Sequence, residues 1–167
     1  MHFLSSLPVR RTLLLGCVLA LAGCAMPPRG AETPGQPYWS GRLGLQVHGE
    51  PPQSFSAGFE LRGRPEAGEL ALYSPLGATL AQLRWAPGLA ELQAEGQRRQ
   101  YDSIDTLTRE ATGTALPLTA LFAWLDGRPA EVPGWQADLS RIADGRLVAQ
   151  RSMPLPTAEL RVVLQQP

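Results

Sequence analysis

Short segments of alternating apolar and polar residues, separated by Gly and Pro, fill much of the chain between residues 39 and 101. Their apolar positions are Leu43, Leu45, Val47, Phe55, Ala57, Phe59, Leu61, Leu70, Leu72, Ala81, Leu83 and Trp85, and weaker segments follow at 89–94 and 97–101. A period of two predicts half-buried strands, and the short breaks predict antiparallel pairing. The pattern therefore restricts the chain to a meander whose single apolar face must curl on itself or be covered.

The period changes to that of a helix after residue 101. Ile104, Leu107 and Ala111 have the spacing i, i+3, i+7. Asp102 is the predicted N-cap of this helix, and Gly113 is the predicted stop. The expected role of the stripe is ordinary packing against the sheet.

A second helix is predicted from Leu118, Leu121, Phe122 and Leu125, with Pro117 in its first turn and a stop at 127–129. The run LPLTALFAWL contains no charge, and its tryptophan lies off the main apolar stripe. An ordinary surface helix has a charged face. This helix is therefore either buried on two sides or placed between the sheet and an apolar ligand.

Strands resume after Trp135. Asp144-Gly145 is a strong hairpin signal, and Leu160, Val162 and Leu164 alternate in a last strand. The order of strands, two helices and strands predicts an α+β fold. We expect a curled antiparallel sheet with the helices inserted at one side, as a single domain over residues 39–167.

The first 23 residues have the features of a lipoprotein signal peptide. Arg10 and Arg11 precede an apolar run at 13–21, which is too short to span a bilayer, and the run leads to Leu-Ala-Gly-Cys ending at Cys24. We expect cleavage before Cys24 and acylation of that residue, so the mature chain keeps no free thiol. The alternative is an ordinary secretory signal with a chance cysteine. Ala25 after the cysteine favours the outer membrane, and residues 24–38, rich in Pro and Gly, form a predicted flexible tether.

The sequence Ser-Pro-Leu-Gly at 74–77 has the residue preferences of a type I turn. Its third corner usually takes a small polar residue, whereas here it is Leu76. This leucine is predicted to lie in water at the tip of a hairpin. A single exposed apolar residue is common and needs no special reason, so the turn by itself leaves its role open.

Residues typical of catalysis or metal binding are scarce. His48 is the only histidine left after the signal peptide, and the chain has no G-x-S-x-G elbow and no phosphate loop. Fifteen acidic residues oppose fifteen basic ones, two of which leave with the signal, so nucleic-acid binding is not expected. We expect neither an enzyme nor a cofactor, apart from the acyl chains attached to Cys24.

GELALYSPLGATLAQLRW at 68–85 and the block LPLTALFAWLDGRP at 116–129 carry a family resemblance. Together with WSGRLGL at 39–45, they resemble the outer-membrane lipoprotein receptor of the Lol pathway, the LolB family. The resemblance covers Trp39 to about Trp135 and departs at both ends. Only 14 residues separate Cys24 from Trp39, and the C-terminal segment is short.

The resemblance implies an unclosed β-barrel with helices as a lid over an apolar cavity. It also implies a lipid-anchored protein on the periplasmic face of the outer membrane. Such a protein accepts triacylated lipoproteins from a LolA-family carrier and inserts them among the phospholipids, and we expect it to act as a monomer. The loop of Pro75, Leu76 and Gly77 would serve membrane insertion. The expected cavity residues are Leu43, Leu45, Phe55, Phe59, Leu72, Leu83, Trp85, Leu121, Phe122 and Leu125.

Two other functions stay open at this point. One is a lipocalin-like envelope lipoprotein that carries a different amphiphile. The other is a passive scaffold that pairs with partners through the edges of its sheet. An apolar cavity beneath the 118–125 helix favours a carrier, whereas a solid core favours the scaffold.

Overall fold

The computed structural model describes residues 35–165, and in this range the chain forms nine strands and two helices. The strands are β1 (Tyr38–His48), β2 (Gln53–Arg64), β3 (Ala67–Tyr73), β4 (Thr79–Ala86), β5 (Leu89–Ala94), β6 (Gln97–Gln100), β7 (Trp135–Asp138), β8 (Arg146–Arg151) and β9 (Thr157–Leu164). The helices α1 (Ile104–Thr112) and α2 (Leu118–Leu125) lie between β6 and β7. The predicted signal peptide 1–23, Cys24 and most of the predicted tether lie outside the described residues.

All nine strands belong to one antiparallel sheet in the order β6-β5-β4-β3-β2-β1-β9-β8-β7. The first six form the predicted meander, and β9 returns to pair with β1. The edge strands β6 and β7 are not paired with each other, so the curled sheet stays open. This confirms the α+β prediction of an unclosed antiparallel barrel with helices.

The inner face of the sheet is continuous because the register aligns apolar residues across the strands. Leu43 faces Ala57 on one side and Val162 on the other, and Leu61 faces Leu70. All five are buried in a single core that also includes both helices. Burying this surface, at roughly 25 cal/mol per Å², supplies the main stabilisation of the fold.

Antiparallel order places the hairpin connections at two opposite ends of the sheet. We call one of them the Leu76 end. The Leu76 end carries the β1–β2, β3–β4, β5–β6 and β8–β9 connections at residues 49–52, 74–78, 95–96 and 152–156. The opposite end carries the β2–β3, β4–β5 and β7–β8 connections and the start of β1. The pockets and exposed loops described below lie at one or the other of these two ends.

Helix α1 begins one residue later than the sequence predicts. Ser103 is the N-cap, not Asp102, because its backbone is extended and its hydroxyl accepts a hydrogen bond from the Thr106 N–H at 3.2 Å. Gly113 ends the helix in the left-handed conformation, as predicted, and its N–H donates to the Arg109 carbonyl.

The turn between the helices is fixed by buried threonines. The Thr108 hydroxyl accepts from the Leu116 N–H at 3.1 Å, and the Thr112 hydroxyl bonds the Thr108 carbonyl at 2.8 Å. Buried hydroxyls without partners would cost free energy. Here the two hydroxyls form hydrogen bonds with backbone groups near the end of α1, where the regular helical hydrogen bonds stop.

Helix α2 is buried over six of its eight residues, as expected for a helix without a charged face. Pro117 lies at its N-cap, one position before the predicted first turn, and supplies no side-chain cap. The Trp124 indole N–H donates to the Ala130 carbonyl at 3.2 Å, which explains a tryptophan off the main stripe. Among the described residues, no helix is long and apolar enough to span a bilayer.

Asp144-Gly145 does not form the tight hairpin that the sequence suggests. Residues 142–144 form a 3-10 turn that Gly145 ends in the left-handed conformation, and β8 starts only at Arg146. The partner strand β7 ends at Asp138, so the connection is a longer loop. The Asp-Gly dipeptide therefore predicted the presence of a turn correctly, but the connection is longer than the tight hairpin that it suggested.

Candidate functional site

The Leu76 loop is an ordered turn that presents its leucine to solvent. The Gly77 N–H donates to the Ser74 carbonyl at 2.9 Å, and the Ser74 N–H donates to the Ala78 carbonyl at 2.8 Å. The Ser74 hydroxyl also accepts from the Ala78 N–H at 3.1 Å. The Leu76 side chain is 97% exposed. The hairpin turn that the sequence predicts is therefore present, and it holds Leu76 away from the core.

A pocket of about 660 Å³ lies beside α2 near the opposite end of the sheet. Its apolar lining includes Trp39, Ile104, Leu118, Phe122 and Val132. Its rim is charged and carries Arg64, Glu66, Asp105, Asp126, Arg128 and Glu131. This volume lies in the range of pockets that hold drug-sized ligands. An apolar floor with a charged rim suits an apolar ligand that enters from water.

The aromatic rings of Trp39 and Phe122 belong to the lining of this pocket. The Phe122 ring lies edge-on to the Trp39 ring at 5.6 Å and to the Trp85 ring at 6.1 Å between centroids. The Trp85 indole N–H is held by the Pro65 carbonyl at 3.0 Å. Edge-to-face pairs add attraction beyond burial. Phe122 thus joins α2 to the inner face of the sheet at the pocket wall.

Two smaller pockets lie under α1 towards the Leu76 end. One, of about 450 Å³, is lined by Phe55, Leu72 and Leu80 among others, and includes Thr79 just after the Leu76 loop. The other, of about 200 Å³, is lined by Leu45, Phe55 and the end of α1. Space beside the helices therefore exists at both ends of the sheet.

The ten predicted cavity residues have different positions in this conformation. Phe122 lines the 660 Å³ pocket, and Leu45, Phe55 and Leu72 line the pockets of about 450 and 200 Å³. The remaining six are buried in the hydrophobic core: Leu43, Phe59, Leu83, Trp85, Leu121 and Leu125.

The sequence analysis missed part of the pocket wall. Pro37, Arg64 and five residues between Asp126 and Val132 line the 660 Å³ pocket. These residues lie in loops and at strand ends, where alternation gives no signal. Trp39 carried the one available hint, since a tryptophan at the start of a strand is large enough to reach a neighbouring helix.

Arg151 is buried, and its guanidinium donates to the Pro156 carbonyl at 2.8 Å and lies 5.7 Å from the Trp135 ring. Burial lowers the pKa of the Arg151 guanidinium, and the positive charge of Arg109 lowers it further. Within residues 35–165, no group of three or more His, Cys, Asp or Glu side chains is placed to hold a metal ion.

The domain is thus of the open antiparallel β-barrel class, with helices packed over its apolar face and pockets beside those helices. A family model described as "Outer membrane lipoprotein LolB" matches residues 38–161, which extends the similarity well past Trp135. The chain belongs to the LolB family of outer-membrane lipoproteins.

Individual relatives show the same similarity. The outer-membrane lipoprotein LolB of Chromobacterium violaceum is 38% identical over 149 residues, which cover 85% of this chain and 79% of that protein. The protein of the same name from Bordetella petrii is 34% identical over an alignment of 187 positions, which covers 95% of this chain and 94% of that protein. The similarity thus extends over nearly the whole chain.

Proposed function

We propose that this protein accepts triacylated lipoproteins from a soluble LolA-family carrier and releases them into the outer membrane without covalent chemistry. The acyl chains would lie between α2 and the inner face of the sheet, and the protein would act as a monomer anchored through Cys24. The observation that carries the proposal is the aromatic-lined pocket beside α2. Membership of the LolB family supports it.

The energetics explain why a cavity is needed. Three acyl chains of roughly fifteen methylenes each, at ~0.8 kcal/mol per methylene, represent about 36 kcal/mol of exposure to water, an upper bound because chains shelter one another. Free diffusion of such cargo is excluded. The acyl chains must instead pass directly from the carrier to this protein and then to the membrane, which must bind them most favourably.

Helix α2 is suited to give way to a ligand. Its side chains meet the sheet through apolar and aromatic contacts, such as Phe122 with Trp39 and Trp85. The indole bond of Trp124 stays within the helix's own segment, and the first turn lacks a side-chain cap. Apolar contacts tolerate sliding, whereas directed hydrogen bonds do not.

The edges of the sheet argue against the scaffold alternative. Edge strand β6 has four exposed residues, two of them arginines, and edge strand β7 is only four residues long. Short, charged edges resist pairing with another chain. Open pockets beside the helices likewise favour a carrier.

Filling the pocket tests the proposal. Ala123 lines the pocket wall and is partly exposed, so Ala123→Trp should occupy the space with little strain on the core. We expect the variant to take up less cargo from a loaded carrier than the wild type. The control is Ala86→Trp, on the outer face of β4.

The assay follows a lipoprotein from its loaded carrier to the mature protein by affinity capture. Reduced uptake by Ala123→Trp, with normal uptake by the control, supports a ligand site beside α2. Equal uptake by both variants and the wild type would show that the acyl chains bind elsewhere.

A further inference from the structure

The β8–β9 connection carries two exposed large apolar side chains. Met153 is 63% exposed and Leu155 is 75% exposed, in a loop that is uncharged from Ser152 to Pro156. Isolated exposed leucines are ordinary, but a cluster of apolar side chains at one place on a soluble domain marks an interaction surface.

The fold places this loop at the same end of the sheet as Leu76. The β3–β4 and β8–β9 connections both lie at the Leu76 end, four strand spacings apart in the sheet order. At about 4.8 Å per spacing this is roughly 19 Å along the sheet, and curling shortens the distance through space. Two apolar tips separated by this distance can touch one flat surface together.

The loop backbone is held in place from inside the domain. Arg151 donates to the Pro156 carbonyl at 2.8 Å, and the Ser152 N–H donates to the Gly134 carbonyl at 2.9 Å. A Cβ added to Gly134 would lie 1.7 Å from the Met153 carbonyl oxygen, so the two backbones are in direct contact. Both ends of the loop are thus fixed, while the side chains of Met153 and Leu155 point to solvent.

We propose that the 152–156 loop is a second membrane-contact element, which inserts Met153 and Leu155 into the phospholipid surface of the outer membrane beside Leu76. This inference rests on the proposed function. Neither the 74–78 loop nor the 152–156 loop carries a charge, which favours the apolar layer of a bilayer over a charged protein surface.

The length of the N-terminal segment permits this orientation. The described domain begins at the end of the sheet opposite Leu76, so the lipid on Cys24 must reach past β1. The eleven residues of β1 span roughly 36 Å. The chain from Cys24 to Tyr38 spans at most about 50 Å when fully extended. The anchor can therefore lie in the membrane plane that the two loops touch.

Site-specific probes test the contact directly. Acylation leaves the mature protein without a free thiol, so a single introduced cysteine can be labelled with an environment-sensitive fluorophore. The labelled sites are Met153→Cys, Leu155→Cys and Leu76→Cys, with Leu89→Cys and Val163→Cys as controls. Both controls are exposed and lie at or near the opposite end of the sheet. The mature acylated protein is placed in phospholipid vesicles that contain lipids spin-labelled along the acyl chain.

We expect quenching by the spin-labelled lipid at positions 76, 153 and 155 and none at 89 or 163. Quenching at position 76 but not at 153 or 155 overturns this inference and leaves the proposed function standing. The absence of quenching at all three positions overturns both this inference and the membrane step of the proposed function. Shielding of positions 153 and 155 from a water-soluble quencher only after carrier is added would assign the loop to a protein partner and overturn it.

A functional readout uses Met153→Ser with Leu155→Ser in one chain. We expect cargo uptake to be unchanged and delivery to vesicles to slow by about tenfold or more. Leu89→Ser is the control and should deliver at the wild-type rate. Because the exchanged side chains lie in solvent, circular dichroism should show an unchanged fold, and delivery at the wild-type rate by the double variant would overturn the inference.

Discussion

Replacing Leu76 by glutamate should separate cargo delivery from cargo acceptance. The side chain is 97% exposed and belongs to a turn held by backbone bonds and by Ser74. Its substitution should therefore change the free energy of unfolding by no more than about 0.5 kcal/mol. The pocket beside α2 lies near the opposite end of the sheet, so uptake from the carrier should be unaffected.

The size of the delivery defect follows from burial. Moving one leucine from water into the apolar part of a bilayer is worth about 2 kcal/mol, which corresponds to roughly a 30-fold change in an equilibrium or rate. A carboxylate loses this gain and resists insertion as well. A single leucine is too weak to anchor the domain, but the lipid on Cys24 would already hold the domain at the surface. The expected loss therefore appears in the release step.

The assay measures both steps with the mature protein in vesicles. Fluorescent lipoprotein is followed from carrier to receptor by affinity capture and from receptor to vesicle by flotation. The control is Leu89→Glu, since Leu89 is 39% exposed at the opposite end of the sheet. Delivery by Leu76→Glu at the wild-type rate would refute the reasoning, as would an equal defect in the control.

Two further predictions concern stability. Ser103→Ala should lower the free energy of unfolding by about 1 kcal/mol, whereas Asp102→Ala should have little effect, because Ser103 is the N-cap. Urea denaturation measures both variants. A larger loss of stability in Asp102→Ala than in Ser103→Ala would contradict the assignment of Ser103 as the N-cap. Hydrogen bonds from Gln150 and Arg161 lower the pKa of Glu159. The stabilisation of the folded state by the Glu159 carboxylate is therefore present above the unfolded-state pKa of about 4.3, and it is lost as pH falls through the folded-state pKa. Glu159→Gln should therefore be less stable than wild type at pH 6 but not below the folded-state pKa of Glu159. A stability difference that does not change with pH would show that the charge of Glu159 is not its cause.

The sheet could be read from the sequence because its alternation is strict. Leu43, Leu45 and Leu61 lie on one face as predicted, since a shift of one residue would turn every apolar side chain into water. The uncharged helix was equally readable, as a helix without a charged face must be covered. The Leu76 turn was predictable because Pro and Gly occupy the corners that need their backbone angles.

The details that the sequence did not predict depend on contacts between distant segments. Asp102 and Ser103 are both good caps, and only the extended backbone at Ser103 distinguishes them. The core-filling positions of Leu121 and Leu125 and the pocket-lining position of Phe122 depend on how α2 lies on the sheet. The pairing of Arg151 with Trp135 and Pro156 likewise requires segments that only the folded sheet brings together.

The pairing of β1 with β9 has a consequence for how the protein is made. Gly41 is paired with Leu164 in this ladder, so the two strands are separated along the sequence by nearly the whole domain. During export, β1 emerges early, and one of its edges stays unpaired until the last residues have crossed the inner membrane. Exposed edges of this kind invite aggregation, and long-range pairing is slow. The sheet can therefore be completed only after β9 has been exported.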